Sequence, residues 1–158
     1  MASWTIVDTD KLRQIDLFSE LSERALVELA AITYTREYPR GDKVMADGSV
    51  GQSMYLIMKG EVRISKNIPG LGEEALAILR DGSYFGEMGL LEGAEASADV
   101  WASRSCVLAV IDRQDLLQLM EREKDVSIEL LWNFVRTLSN RLRDANSKVT
   151  FLAAAGKF

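Results

Sequence analysis

The chain has 158 residues, 47% of them apolar, with one cysteine, no histidine and a formal net charge of −5. This length and apolar content fit one domain with its own core and exclude a disordered chain. The acidic balance argues against a nucleic-acid surface, the single Cys106 excludes an internal disulfide, and the lack of histidine removes His-based triads and His–carboxylate metal sites.

Met1 to Asp10 carries no basic stretch followed by an apolar run, so no signal peptide is read. No apolar run approaches the ~18–20 residues of a membrane span. The expectation is a soluble, cytoplasmic protein that does not touch a membrane. Cys106 opens the apolar run to Ile111 with no imidazole beside it, which fits an inert buried thiol better than a nucleophile. Glu92 and Glu95 read as a solvated acidic loop rather than a catalytic pair. No enzyme, cofactor or metal site is expected.

Residues 9–33 read as helical. Leu12, Ile15 and Phe18 form one apolar stripe, Ser22 is placed to cap a second helix, and Leu26, Leu29 and Ala30 continue its inner face. From residue 34 to residue 111 the pattern switches to short alternating runs broken by turns every ~8–12 residues, as in antiparallel sandwiches and rolls. Turns fall at Pro39–Asp42, Asp47–Gly51, Lys59–Gly60 and Arg80–Ser83, with a loop at Asn67–Gly72. The runs between them are Lys43–Ala46, Met54–Met58, Glu61–Ser65 and Glu74–Leu79. Asp99–Ala102 and Cys106–Ile111 close the sheet.

Residues 84–100 stand apart. Gly86 and Gly89 permit close backbone approach, and a short turn of helix from Glu87 would aim free N–H groups at an anion. An ordinary strand–turn–helix connection is the alternative. Residues 112–152 return to helical periodicity. Asp112 is placed to cap a helix with Leu116, Leu117, Leu119 and Met120 inward. A second helix from about Val126 carries Leu131, Val135, Leu138, Leu142, Ala145, Val149 and Leu152 at alternating spacings of four and three. That is a heptad seam, and it predicts a parallel homodimer. Leu130, Trp132 and Phe134 are left to pack on the chain's own sheet.

Two segments carry a family resemblance. Phe85-Gly86-Glu87-Met88-Gly89-Leu90, followed by Ser97-Ala98-Asp99-Val100, resembles the phosphate-binding cassette of the cyclic nucleotide-binding domain family. Val44-Met45, Gly48, Gly51, Met54-Tyr55-Leu56-Ile57 and Gly60 resemble its first signature, in the right order. The resemblance covers about Asp10 to Lys148. It implies a single domain over residues 1–158, mostly β with flanking helices: an antiparallel, jelly-roll-like β-roll with N-terminal helices and a long C-terminal helix. It further implies that Glu87 accepts a ribose 2′-hydroxyl, and that the backbone of Gly86, Glu87, Met88 and Ala98, with the Ser97 hydroxyl, holds a cyclic phosphate. Ala145 and Asn146 fall where members place a polar reader of the base.

The cassette departs from the pattern at one position. The family's arginine is Ala96 here. Losing a charged partner costs a phosphate about 2–5 kcal/mol, roughly 30- to several-thousand-fold in affinity. By strand alternation Asp99 is expected on the same side as Ser97, where its charge would repel the phosphate. Arg63, Arg80 and Arg104 are candidates to replace the lost cation. Phe151 and Phe158 are weighed as an aromatic lid or as tail. Only six residues follow Leu152, so no helix-turn-helix is expected and no DNA partner. The expected function is a stand-alone regulatory module, or a piece of a larger one, sensing cAMP or cGMP in a modified pocket and signalling through its dimer helix. The alternative is a degenerate module with another ligand or none, acting as a dimeric adaptor for a protein partner.

Overall fold

The alternating runs form eight strands, all antiparallel, in the computed structural model, which describes residues 7–156. Phe158 and most of the N-terminal stretch read for a signal peptide lie outside the described residues. The strands are β1 Thr33–Tyr38, β2 Lys43–Met45, β3 Ser53–Lys59, β4 Glu61–Ile68, β5 Gly72–Arg80, β6 Tyr84–Phe85, β7 Asp99–Ala102 and β8 Cys106–Asp112. They make two four-stranded sheets, ordered β1-β8-β3-β6 and β2-β7-β4-β5. The helices are α1 Thr9–Arg13, α2 Glu23–Ala31, α3 Glu87–Glu92, α4 Arg113–Arg122 and α5 Lys124–Ala155. This is the expected β-roll with flanking helices.

Two apolar layers result. Tyr38, Ile57, Val62, Phe85, Val100, Ala102 and Leu108 fill the space between the sheets. The outer face of the first sheet (Met54, Leu56, Ala109, Ile111) packs on Leu12, Phe18, Leu26, Leu29, Leu116 and Phe134 of the helical segments. Each of the large side chains in this list is close to fully buried, and each such burial stabilises by about 1.5–3 kcal/mol. Ile57 and Leu56 of β3 feed opposite layers, which is why that run is apolar on both faces.

Local differences from the sequence reading have local causes. The helical stretch over residues 9–33 holds two helices, but α1 ends at Arg13, a 3-10 turn covers Asp16–Phe18, and Thr33 already begins β1. Ser22 caps α2 as expected, accepting from Ala25 N at 3.2 Å. Its Oγ and N also donate to the Glu129 carboxylate of α5, each at 2.9 Å. The expected Asn67–Gly72 loop is shorter, because β4 and β5 pair through Ile68 and Gly72 around Pro69–Leu71. Asp112 stands at the α4 N-cap but makes no cap bond. Its Oδ1 instead accepts from Ser53 Oγ at 2.6 Å and from the Tyr34 hydroxyl at 3.3 Å. Leu117 and Trp132, both expected inward, are exposed, since only one face of α4 and of early α5 meets the core.

Helix α5 has two regimes. Val126, Leu130 and Phe134 are buried, and no residue after Phe134 is. The seam residues Leu131, Val135, Leu138, Leu142 and Val149 all face solvent. The helix is about 48 Å long at 1.5 Å per residue, and roughly two-thirds of it lies beyond its last buried residue.

Candidate functional site

Three close backbone approaches shape the cassette. Gly86 adopts φ 84° and ψ 7° between β6 and α3. A β-carbon there would meet Ser53 O at 2.6 Å, so position and conformation both require glycine. Gly89 of α3 lies against Gly51, and a β-carbon on Gly89 would sit 2.8 Å from the Gly51 Cα. Gly51 N also donates to Ala94 O at 3.0 Å. The β2–β3 turn and α3 are thus seated backbone on backbone. The first N–H groups of α3 have no partner within the helix.

These elements enclose a cavity of about 370 Å³. Its apolar walls come from Met45, Ile64, Leu79, Phe85 and Val100, with Phe85 stacked on Tyr55 at 5.0 Å between ring centroids. Its polar end is the cassette. Gly86, Glu87, Met88, Ala96, Ser97 and Ala98, six of the seven residues selected from sequence, all line it. Asn146 does not, and it is exposed on the projecting part of α5. Phe151 is likewise exposed far along α5.

Asp99 does not face the cavity. Its carboxylate accepts from Asp47 N at 2.8 Å and pairs with Lys43 Nζ at 3.3 Å, and the Asp47 N–H bond, then Lys43, hold its carboxyl below the usual range. The alternation argument failed because β7 starts at Asp99, and Ser97 precedes it in a bend. Ser97 is itself anchored from outside, its carbonyl accepting from Lys66 Nζ at 3.0 Å. The three arginines offered as substitutes are also elsewhere. Arg63 pairs with Glu73 at 2.8 Å, Arg80 with Glu61 at 3.0 Å, and Arg104 does not line the cavity.

The cation that does reach the cavity is Arg141 of α5, the only one among its described lining residues. Its guanidinium pairs with the Glu87 carboxylate and lies 4.7 Å over the Tyr84 ring. Burial, the largest influence on Tyr84, raises its hydroxyl pKa, while Arg141 pulls the other way. With Glu87 and Glu95 against one arginine, the lining carries a net charge of −1. In the sequence Arg141 merely flanks the seam, one position before Leu142. The helical register placed it off the seam, but its partner lies 54 residues away, and no local pattern supplies that pairing.

The site thus offers apolar walls and, at one end, the α3 backbone and a guanidinium paired with a carboxylate. Among the described residues there is no cluster of His, Cys, Asp and Glu suited to a metal, and no helix long and apolar enough to cross a membrane.

Comparison with known proteins agrees with this geometry. The family model for the Cyclic nucleotide-binding domain matches residues 35–123. The Cyclic AMP receptor protein of Thermus thermophilus is 35% identical over 128 residues, 80% of this chain and 57% of that protein. The cAMP-dependent protein kinase regulatory subunit of Debaryomyces hansenii is 30% identical over 117 residues, 74% of this chain and 25% of that protein. Among solved structures, the N-terminal domain of a transcriptional regulator from Streptomyces coelicolor matches with a TM-score of 0.77 at 26% identity, covering 89% of this chain and 95% of that one. The chain spans about half the length of the first relative and a quarter of the second. Arg141 lies beyond the segment the family model matches.

Proposed function

Because the chain belongs to the cyclic nucleotide-binding domain family, we propose that it is a regulatory module whose cavity takes cAMP or cGMP, with Arg141 as the pocket's cation in place of the arginine missing at Ala96. The observation that carries this is the cavity itself. A cassette with free α3 N–H groups and Glu87 faces about 370 Å³ of apolar space, and a guanidinium enters from the C-terminal helix. Such a volume lies within the range of small-ligand sites.

The chemistry follows from the residues. The α3 backbone and the Ser97 hydroxyl offer donors to the phosphate, and the helix N-terminus favours its charge. Glu87 accepts the ribose 2′-hydroxyl, a contact a deoxyribose lacks. The apolar walls hold the base. In the empty site the Arg141 charge is matched by Glu87. A bound phosphate competes for that guanidinium, so occupancy pulls on α5. The projecting seam of α5, with Leu131, Val135, Leu138, Leu142, Ala145 and Val149, then carries the signal as the axis of a homodimer in the cytoplasm. Asn146, outside the cavity in one copy, keeps a base-reading role in this proposal only where α5 shifts on binding.

Ala96 and the net negative lining favour a second reading: a degenerate module that dimerises and docks a protein without a cyclic nucleotide. Calorimetric titration with cAMP and cGMP separates the two. A micromolar Kd for either supports the sensor. At 100 times Kd the ligand should also stabilise the fold by about 2.7 kcal/mol. No heat and no melting shift at millimolar nucleotide would sink the sensor and leave the adaptor.

A further inference from the structure

Behind the cassette lies a second recess, a groove of about 360 Å³ between the β2–β3 turn, the end of α3 and the outer face of α4. It is separate from the nucleotide cavity and shares no lining residue with it. We propose that this groove docks a protein segment that presents a carboxylate, then an apolar side chain, then a basic group. The proposal does not depend on the nucleotide reading.

The carboxylate is assigned by Arg113. Its Nε is buried and has no hydrogen-bond acceptor. Arg113, like Arg36, Arg40, Arg104 and Arg143, has no ion pair among the described residues, and of these five only Arg113 has a buried, unmatched Nε. The sealed Nε holds the guanidinium fixed against the cassette's last turn, and an incoming carboxylate meets the two terminal nitrogens of the fork with parallel bonds. The side chain is also held in place. Arg113 N donates to Gln52 O at 2.7 Å, and a β-carbon at Gly93 would lie 3.4 Å from Arg113 Nε, so the guanidinium stem rests on the cassette's last turn.

The rest of the groove matches the rest of the segment. Gln52, Gln114 and Gln118 line it, and none spends its amide on another described residue, so they can meet the backbone of an extended chain. Val50, 61% exposed, and Leu117, 39% exposed, form an apolar wall that none of the described residues covers. Glu121 lies at the far end and has no ion pair among the described residues. It stands eight residues beyond Arg113 on α4, about 12 Å along the helix. An extended chain covers that in roughly four residues. The acid and the base of the occupant are therefore set about three to four positions apart, with the acid at the Arg113 end. An acidic peptide without the basic group would meet repulsion from Glu121, which makes the order of charges part of the recognition.

The test is a ¹H–¹⁵N NMR titration of the whole chain, without nucleotide, using the peptide acetyl-Glu-Leu-Ala-Lys-amide. The expected result is saturable shifts at the side-chain amides of Gln114 and Gln118 and at Arg113 Nε. A charge-assisted bond to a carboxylate contributes enough that the Gln-for-Glu peptide should bind at least about tenfold more weakly. Arg113→Gln should lose about as much, with Arg113→Lys between, since it keeps charge without the fork. The peptide comparison on unaltered protein stands even if a variant misfolds. Equal binding of both peptides overturns the proposal. So does saturation by sodium acetate at the same concentration, which would make the groove a small-anion site, or the absence of saturable shifts at millimolar peptide.

Discussion

Replacing Arg141 with Gln tests the site at its least expected residue. The side chain makes two contacts, the Glu87 ion pair and the Tyr84 ring face. Arg141 is 47% exposed, so the pair is partly screened, while Glu87 is only 14% exposed and has more to lose. Exposed pairs contribute about 0.2–1 kcal/mol and an exposed cation–π contact about 0.5–1 kcal/mol. The empty protein should therefore lose about 1–2 kcal/mol, a Tm drop of about 2–8 °C for a domain this size. Nucleotide binding should suffer more, because no other described cation reaches the cavity. Loss of a charged partner costs about 2–5 kcal/mol, so the Kd for cAMP should rise at least about 30-fold. Differential scanning fluorimetry reads the first effect and calorimetry the second. Glu87→Gln is the companion variant. It frees Arg141 for the phosphate but leaves the ribose hydroxyl a neutral amide acceptor in place of a carboxylate, and the double variant measures their coupling. If Arg141→Gln binds cAMP within about twofold of the native chain, less than 0.5 kcal/mol, Arg141 is not the phosphate's cation and the reasoning fails.

Ala96→Arg should restore the forked donor and tighten cAMP binding by about 30-fold or more; no gain in a calorimetric titration would mean that the backbone cradle is not set for a phosphate. Gly89→Ala forces a β-carbon to within 2.8 Å of Gly51 Cα, backbone against backbone; a destabilisation of about 1–3 kcal/mol should appear as a lower urea midpoint, and an unchanged midpoint would contradict the close approach. Val135→Glu with Leu142→Glu puts charges on the exposed seam, so sedimentation should show a dimer turned to monomer with the melting of the roll retained; a native chain that sediments as a monomer at tens of micromolar would reject the seam. Stability should fall in alkali. Burial, then the Asp112 charge, pushes the Tyr34 pKa up to about 12, and burial, then Tyr55, does the same for Tyr38. The unfolded chain loses these protons near pH 10 while the folded one keeps them, so the tyrosines' contribution is whole below pH 10 and declines from there toward 12. Tyr34→Phe should flatten that decline in urea melts between pH 9 and 11, and an equally steep decline would assign it to other groups.

What could be read from sequence was what repeats over short distances. Ser22 announced its helix because the cap lies three residues from the N–H it serves. The seam of α5 was visible because a heptad is a local count. The first half of the cassette and the earlier signature were visible because glycine has few substitutes where a β-carbon would meet Ser53 O or Gly51 Cα. Side chains that answer to distant partners were misread. Asp112 was placed as a cap, yet its carboxylate serves Ser53, 59 residues away. Asp99 was assigned to the pocket by an alternation that begins only at its own position, and its partner Asp47 lies 52 residues off. Leu117 was read as core because leucine on an amphipathic helix usually is, and in this chain it borders the groove beside Arg113 instead.

The same limit explains why the pocket looked disarmed from sequence. A family pattern names the residue that carries a charge and the element that holds it. Ala96 removes the charge from the cassette, where a loop bonded to the β2–β3 turn through Gly48 N and Ser49 O would have held it. Arg141 returns one from α5, where no described residue beyond Phe134 is buried. Those placements are not equivalent. A cation on the roll binds phosphate without telling any other element. A cation on α5, held by Glu87 when the site is empty, can change partners only if the helix or its side chain moves relative to the cassette. Binding is then weaker by whatever the Glu87 pair was contributing, and that same energy becomes the coupling between pocket and seam. On the proposed reading, the arginine's position on α5 gives up some affinity and turns the ligand's charge into displacement of the element that meets the second copy.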